Sequence, residues 1–460
     1  MKRVNSSLHR AHSRDSFSRL LFESESSNGG GDESRSIFFR LCQLGVLAFR
    51  LVTPFSYLYL STLFALKLQP AQFFGGSAMY YFLLVWMLVE ALFLPYYYYL
   101  FTQLSKRNGD LEHFASDKQS RFLLVRNCLE AMLLAGPSTQ EPEVYIRKAL
   151  EGWFMDFPLS DVKRGNMAAW TGWAFFGMDP GDMSKEEAAE NEEMVQYLEL
   201  KANWKFPPGY SQEVPPARLD LDPLFATQRP FFFYATIALV NGIAHCGLRG
   251  LGFSPLPQYD TVSRSQFILH RKGTGGGKGV PVVFVHGIGI GFAHYIALIA
   301  SLPREVDVFL VEWPHVAMQM AVKGPTTLEA VGAIRRLLRD FGHTKACFAS
   351  HSLGTVLISW MLNDPEGCKC VHSTVLLDPV SFLLCDPTVA TMFVYKDPSN
   401  AMDFLMHFFL SRELFIANAL SRHFAWSHNI LFAEDLLNNK QCCRDARRGE
   451  KCAHLLPLEG

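Results

Sequence analysis

The sequence has no excess of charge of either sign: 43 Lys and Arg face 44 Asp and Glu over 460 residues, a formal net charge of −1. A nucleic-acid-binding domain normally carries a basic excess, so that class of partner is excluded. Charge is also scarce in amount, at 19% of residues, while apolar residues reach 49% and aromatics 13%, with 38 Phe. Such a balance excludes a mostly disordered chain and points to lipid contact for part of it. The ten cysteines repeat no spacing; Cys368 and Cys370, and Cys442 and Cys443, stand too close for zinc-knuckle pairs. Reduced thiols in a cytosol-facing protein are expected. No His, Cys, Asp or Glu cluster has ligand spacing, so neither a metal nor another cofactor is expected. The glycine-rich stretch 273–279 precedes a strand-like run, whereas a phosphate loop follows one.

The length suits a membrane-anchored part and one large globular domain. Residues 1–36, rich in Ser, Arg and Glu, read as a disordered tail, and no short apolar core follows the first basic residues as in a cleavable signal. Residues 37–104 hold two apolar runs. Leu41 to Leu66 is interrupted by Gln43, Arg50 and Pro54, and Ser77 to Phe101 by Glu90 and Pro95, closing on Tyr96 to Tyr99. Each exceeds the roughly 20 residues that cross a bilayer, and the tyrosines fit an interfacial belt. Together they predict a transmembrane hairpin in which Arg50 and Glu90 could meet, since a charge inside a span usually pairs or snorkels. Arg35 and Arg40 precede it, Lys106, Arg107, Lys118 and Arg121 follow it, and the loop holds Lys67. Both ends are therefore expected in the cytosol, with the signal-anchor-like hairpin suggesting the endoplasmic reticulum membrane. A third run, Pro230 to Leu248, reads as a helix packed on the domain or lying in the interface; if it crossed, the domain would face the opposite side.

Residues 105–260 read as a helical cap and connector, with Trp153, Trp170, Trp173 and Trp204, a capping box at Ser184 to Glu187, and an irregular Pro-marked stretch from Pro207 to Pro223. From 261 to 435 the pattern becomes strand–helix–strand, implying a parallel sheet covered on both faces. Strand-like runs at Gln266–His270, Val280–Val285, Val306–Val311, Lys345–Ala349 and Ser373–Leu377 lead into His286-Gly-Ile-Gly289, Ser350-His-Ser-Leu-Gly354 and Asp378. In such sheets ligands bind at the carboxyl ends of the strands, where all three of these segments fall. A Ser-x-Ser-x-Gly pattern alone arises by chance in roughly one such chain in six at about 7% per residue type, so its placement between a strand and a helix is what makes it specific.

Ser352 then sits on a sharp strand-to-helix turn with small residues two places either side, the arrangement of a nucleophile elbow, although Ser350 stands where Gly is usual. The backbone N–H groups of Leu353 and Ile288 are the candidate oxyanion-hole donors, Leu353 lying at a helix N-terminus. Asp378 is either the acid of a triad or part of a structural turn, with the acid one strand later.

The segments PVVFVHGIGIGFAHY (281–295), FASHSLGT (348–355) and VLLDPV (375–380) resemble the α/β-hydrolase superfamily, specifically its lipase- and esterase-like members. With the preceding helices, the chain looks like membrane-anchored α/β-hydrolases of fungi and other eukaryotic microbes. The resemblance covers 265–435 well and 120–260 loosely. It implies an eight-stranded sheet, a Ser–acid–His triad and attack on an ester or similar acyl bond, with a lipid or small apolar ester as substrate and the membrane as the site of action. No histidine can be assigned as base. His407, His423 and His428 lie in aromatic helical contexts, His351 adjoins the elbow but is expected to point elsewhere, His286 shapes the loop, and His454 lies in the 436–460 tail, read as irregular. The hydrolase region thus reads as incomplete, as from a truncated chain. The alternative to an active serine hydrolase is a catalytically impaired binding or scaffold protein of the same fold; an acyltransferase using the same elbow is a third reading.

Overall fold

The computed structural model describes residues 32–66, 78–106, 117–135, 141–261, 265–277, 279–382, 384–432 and 453–455. The chain divides into two compact units, 1–45 and 46–460. Of the first, the described part is helical and belongs to α1 (Asp32–Ala65), so the last residues of the expected tail are already helix. In the second unit α1 continues and is followed by α2 (Ala78–Leu104). The loop expected to join them and the stretch from 433 to 452 lie outside the described residues.

Among the described residues, three helices are long and apolar enough to cross a membrane: Ile37–Ala65, Ala78–Leu104 and the later α7 (Phe231–Gly250). Tyr57 donates its hydroxyl to the Ala91 carbonyl at 2.7 Å, tying α1 to α2. The expected meeting of Arg50 with Glu90 does not occur. Glu90, fully buried, instead accepts the N–H groups of Phe231 and Phe232 at 2.8 and 2.6 Å. The first turn of a helix leaves its N–H groups without intrahelical partners and carries a partial positive charge, so a carboxylate there is stabilised twice over. Arg50 lies 5.7 Å from the Phe408 ring centroid.

Helices α3 (Lys118–Ala135), α4 (Pro142–Gly152), α5 (Arg164–Phe176) and α6 (Lys185–Ala202) form the helical layer. Its core is aromatic: Trp153 meets Trp170 and Trp173, each at 5.7 Å between centroids. The capping box opens α6 as the sequence predicts, with Glu187 N–H donating to Ser184 Oγ (3.2 Å) and Ser184 N–H to Glu187 Oε2 (2.9 Å).

The sheet has seven strands among the described residues. They are β1 (Ser254–Pro255), β2 (Phe267–Arg271), β3 (Val282–Val285), β4 (Val308–Glu312), β5 (Ala346–His351), β6 (Val371–Leu377) and β7 (Ala453–Leu455), in the order β1-β2-β4-β3-β5-β6-β7. The strands from β3 onward pair in parallel, while β2 is antiparallel to both β1 and β4, so the expected parallel sheet has an antiparallel edge. Short helices α8 (Ile296–Ser301), α9 (Thr327–Asp340) and α10 (Thr355–Asn363) cover it. Side chains alternate along β3 with the period of two that a strand imposes. Val283 and Val285 pack with Ile334, Leu337 and Leu357, and Phe284 packs on the other face with Phe292 and Ile299. β7 lies inside the stretch read as an irregular tail, pairing Thr374 with Ala453 and Leu376 with Leu455. No alternation marks it in the sequence; backbone pairing to β6 suffices for so short a strand.

After β6 the chain is helical through α11 (Ala401–Met406) and α12 (Leu414–Arg422). Glu413 is fully buried and accepts from the Phe415 and Ile416 N–H groups and the Tyr234 hydroxyl, joining α12 to α7.

Candidate active site

The carboxyl ends of β3, β4, β5 and β6 deliver His286, Trp313, Ser352 and Asp378 to one edge of the sheet. β5 ends at His351, and a single 3-10 turn, Ser352–Gly354, leads into α10. Ser352 has φ +50°, the left-handed region that a non-glycine residue enters only when its surroundings hold it there. Gly354 is what lets the turn close on β3. A Cβ there would stand 2.6 Å from the His286 carbonyl oxygen and 2.7 Å from that of Val285. Thr355 Oγ1 donates to the Ser352 carbonyl at 2.7 Å and fixes the turn from within. Ser350, at the place where an elbow usually has glycine, is fully buried, and its hydroxyl has no hydrogen-bond partner in the protein.

The loop after β3 presses directly on this turn. A Cβ on Gly287 would lie 2.9 Å from each of His351 Nδ1, the His351 carbonyl oxygen and Ser352 Cβ. Ile288 follows in the loop and Leu353 in the turn, and both pack into the same apolar cluster. His286 holds the loop to β4: Trp313 N–H donates to its Nε2 at 2.9 Å, leaving Nδ1–H to donate to the Gly287 carbonyl at 2.7 Å.

Two residues join the candidate site that sequence reasoning missed. Tyr295 Oη accepts from Gly287 N–H (3.1 Å) and is hydrogen-bonded to His351 Nδ1 (2.6 Å). His351 Nε2 then stands 3.5 Å from Asp378 Oδ2. His351 lies between Tyr295 and Asp378. The Asp378 side chain is 64% exposed, and its backbone also adopts a left-handed conformation, φ +44°. The tyrosine closes the quoted 281–295 segment, yet nothing in spacing couples it to a histidine 56 positions later. Of the remaining histidines, His407 Nε2 accepts from Arg412 Nε at 2.8 Å, in a packed role. His454 has its backbone in β7, opposite Val375.

Burial favours the neutral form of three histidines near this edge. It lowers His286, takes His294 down to about 4 with help from His286 and His351, and takes fully buried His315 down to about 3. The unfolded chain takes up these protons near the ordinary value of 6.5. For buried His315 stability is therefore full above that pH and falls as the pH drops from there toward the folded value, by up to about 1.4 kcal/mol per pH unit. Denaturant midpoints measured between pH 6 and 4 should accordingly decline, and His315→Gln should flatten the decline by about one histidine's share. An unchanged slope in that variant would mean that His315 protonates as readily in the folded chain.

A seven-stranded, largely parallel sheet with a strand–turn–helix serine at its carboxyl edge is the α/β-hydrolase fold. Residues 282–457 match the model of the alpha/beta hydrolase family, and this part of the chain carries that family's domain. No curated protein matches the chain. Among solved structures it is similar to Cfl2 of Burkholderia cenocepacia (17% identity over 28% of this chain and 42% of that one, TM-score 0.22). It is also similar to Smu.1393c of Streptococcus mutans (16% identity, 30% and 50%, TM-score 0.23). A third similar structure is a carboxylesterase of Nitrososphaera gargenis (15% identity, 44% and 89%, TM-score 0.27). The chain thus spans half or less of the first two.

Proposed function

We propose that this chain is a membrane-anchored serine hydrolase that cleaves an acyl ester of a lipid or small apolar molecule. Ser352 is the nucleophile and the backbone N–H groups of Leu353 and Ile288 are the oxyanion-hole donors. The observation that carries this reading is the strained Ser352, φ +50°, with the Gly287 loop packed against its Cβ. Strain of this kind persists where it serves to present a side chain, and here it aims the hydroxyl out of the turn. Ser352 Oγ attacks the ester carbonyl carbon, the oxyanion forms between the loop and the helix N-terminus, and the alkoxide leaves with a proton. Water then attacks the acyl-serine and releases the acid. Asp378 acts through His351, whose ring must exchange Tyr295 for Ser352 Oγ to take the serine proton.

Helices α1 and α2 cross the bilayer in this reading, with the hydrolase domain on the cytosolic side, at the endoplasmic reticulum. α7 lies against the domain, because Phe233, Tyr234, Ile237 and Leu248 are buried on it while Leu239 and Ile243 face outward.

One observation favours the second reading, an α/β-hydrolase fold that binds without turnover: His351 Nδ1 is already hydrogen-bonded to Tyr295 Oη, and its Nε2 lies 3.5 Å from Asp378 Oδ2. A serine without a base is a weak nucleophile. Fluorophosphonate labelling of the full chain in detergent separates the two. The hydrolase reading expects an adduct that peptide mapping places on Ser352 and that Ser352→Ala loses. A folded chain that takes no label, like its Ser352→Ala variant, would establish the binding protein instead.

A further inference from the structure

A cavity of about 410 Å³ lies between α7 and the loop after β4, and no residue of the candidate catalytic site lines it. Its α7 wall is one helical stripe, Tyr234, Ala238, Asn241, Gly242 and His245, the spacing that puts side chains on a single face. Its other wall is Met318, Gln319 and Met320, in which both methionines have φ +55°, so this loop is held in a strained shape around the opening. Gly291 closes on the polar end. A Cβ there would stand 3.0 Å from Asn241 Oδ1 and 3.2 Å from Glu312 Oε1.

The polar end is built, and one group in it is unmatched. Glu312, 1% exposed, has both oxygens occupied: His245 Nε2 lies 3.0 Å from Oε2, and Gln319 Nε2 donates to Oε1 at 2.7 Å. Asn241 is only 7% exposed, yet neither its Oδ1 nor its Nδ2 has a hydrogen-bond partner in the protein. Buried amides are almost always paired, so an orphan facing a cavity marks a place for a ligand's polar group.

We infer that this cavity binds the neutral, hydroxyl-bearing head of a single-chain amphiphile, with Asn241 as its recognition residue. A hydroxyl both donates and accepts, which matches the amide's two unmet atoms. An ammonium could serve Oδ1 and would leave Nδ2 unmet. A phosphate or carboxylate could serve Nδ2 but, having no donor, would leave Oδ1 unmet. The small side chains of Ala238 and Gly242, both exposed, leave a gap in α7 beside outward-facing Leu239 and Ile243, along which an alkyl chain continues toward lipid.

The test uses the full chain in lipid nanodiscs and a photoactivatable 1-O-alkylglycerol, an ether that Ser352 could not cleave. Crosslinks are expected in the peptides holding 234–245 or 316–320. Excess alkylglycerol should compete with them, and an alkyl phosphate of equal chain length at the same concentration should not. Asn241→Leu and Ala238→Trp should each cut the yield tenfold or more, the second without touching a buried position. Ser352→Ala should leave the crosslink unchanged, and both cavity variants should keep their fluorophosphonate reactivity, so failure here and failure of the hydrolase reading are told apart. Absence of these crosslinks in the unaltered chain, full yield in Ala238→Trp, or equal competition by the alkyl phosphate would each overturn the inference.

Discussion

Replacing Gly287 by alanine is expected to leave the fold in place and to lower ester turnover by about 100- to 1,000-fold. Gly287 is not among the glycines in a left-handed conformation, so alanine can adopt its backbone angles. What it cannot do is fit, because the added methyl would stand 2.9 Å from the rigid carbonyl of His351 and from Ser352 Cβ. None of these contacts is the far end of a flexible chain, so the loop has to move away from the turn. Ile288, the next residue, moves with it and carries away the N–H that the proposed reaction uses to receive the oxyanion. Loss of one such donor costs about 100- to 1,000-fold in kcat in serine hydrolases, and overpacking adds roughly 1–3 kcal/mol of destabilisation. The measurement is kcat and KM on a chromogenic long-chain ester: kcat should fall while KM changes little, since the missing interaction is made in the transition state. Gly332→Ala serves as the control. That glycine lies within α9 with nothing within 4 Å of a new Cβ, so alanine there should raise stability by up to about 1 kcal/mol and leave turnover alone. Equal turnover in Gly287→Ala would separate the loop from the reaction.

The parts legible in the sequence are those whose cause is local. β5 running into Ser352 and α10, the loop at 286–289, the capping box at Ser184 and the three long apolar helices all follow from periodicity or from a short spacing read along the chain. Distant partners were not legible. Arg50 and Glu90 look like a pair because each is an isolated charge in an apolar run, but a carboxylate is satisfied as well by a helix N-terminus. The one it meets begins 141 positions further on. Tyr295, His351 and Asp378 likewise come from separate places, the turn before α8 and the ends of β5 and β6, and the sheet order β3-β5-β6 helps make them neighbours. β7 was missed for a different reason. Three residues carry too little alternation to announce a strand, and its place is set by the free edge of β6.

Arg229 presents the second large effect, this time on stability. Arg229→Met is expected to destabilise the chain by about 3–5 kcal/mol, the range for leaving buried charged and polar partners uncompensated. The residue is fully buried, and burial brings its pKa down to about 10, so it remains charged at neutral pH. Its terminal Nη donors are spent locally, while Nε has no hydrogen-bond partner in the protein. Nη1 donates to the carbonyls of Thr227 (3.0 Å) and Gln228 (3.1 Å), Nη2 donates to the Phe408 carbonyl, and the guanidinium lies 3.7 Å from the Phe408 ring centroid. Methionine would fill most of the space and spare the desolvation of the charge, which offsets part of the loss. It would also leave three carbonyls without donors and remove the cation that opposes buried Glu413. Arg229→Lys keeps the charge but can serve fewer of these acceptors, so it should fall between the two. The denaturant midpoint in a mild detergent orders the three chains. A Met variant within 1 kcal/mol of the unaltered chain would show that α7 is held without the guanidinium, by apolar packing and its bonds to Glu90 and Glu413. A loss of the expected size would show that the guanidinium, one residue before the cap of α7, fastens that helix to the aromatic segment at 408. The wall of the cavity then depends on a charge that the membrane-facing helices themselves do not carry.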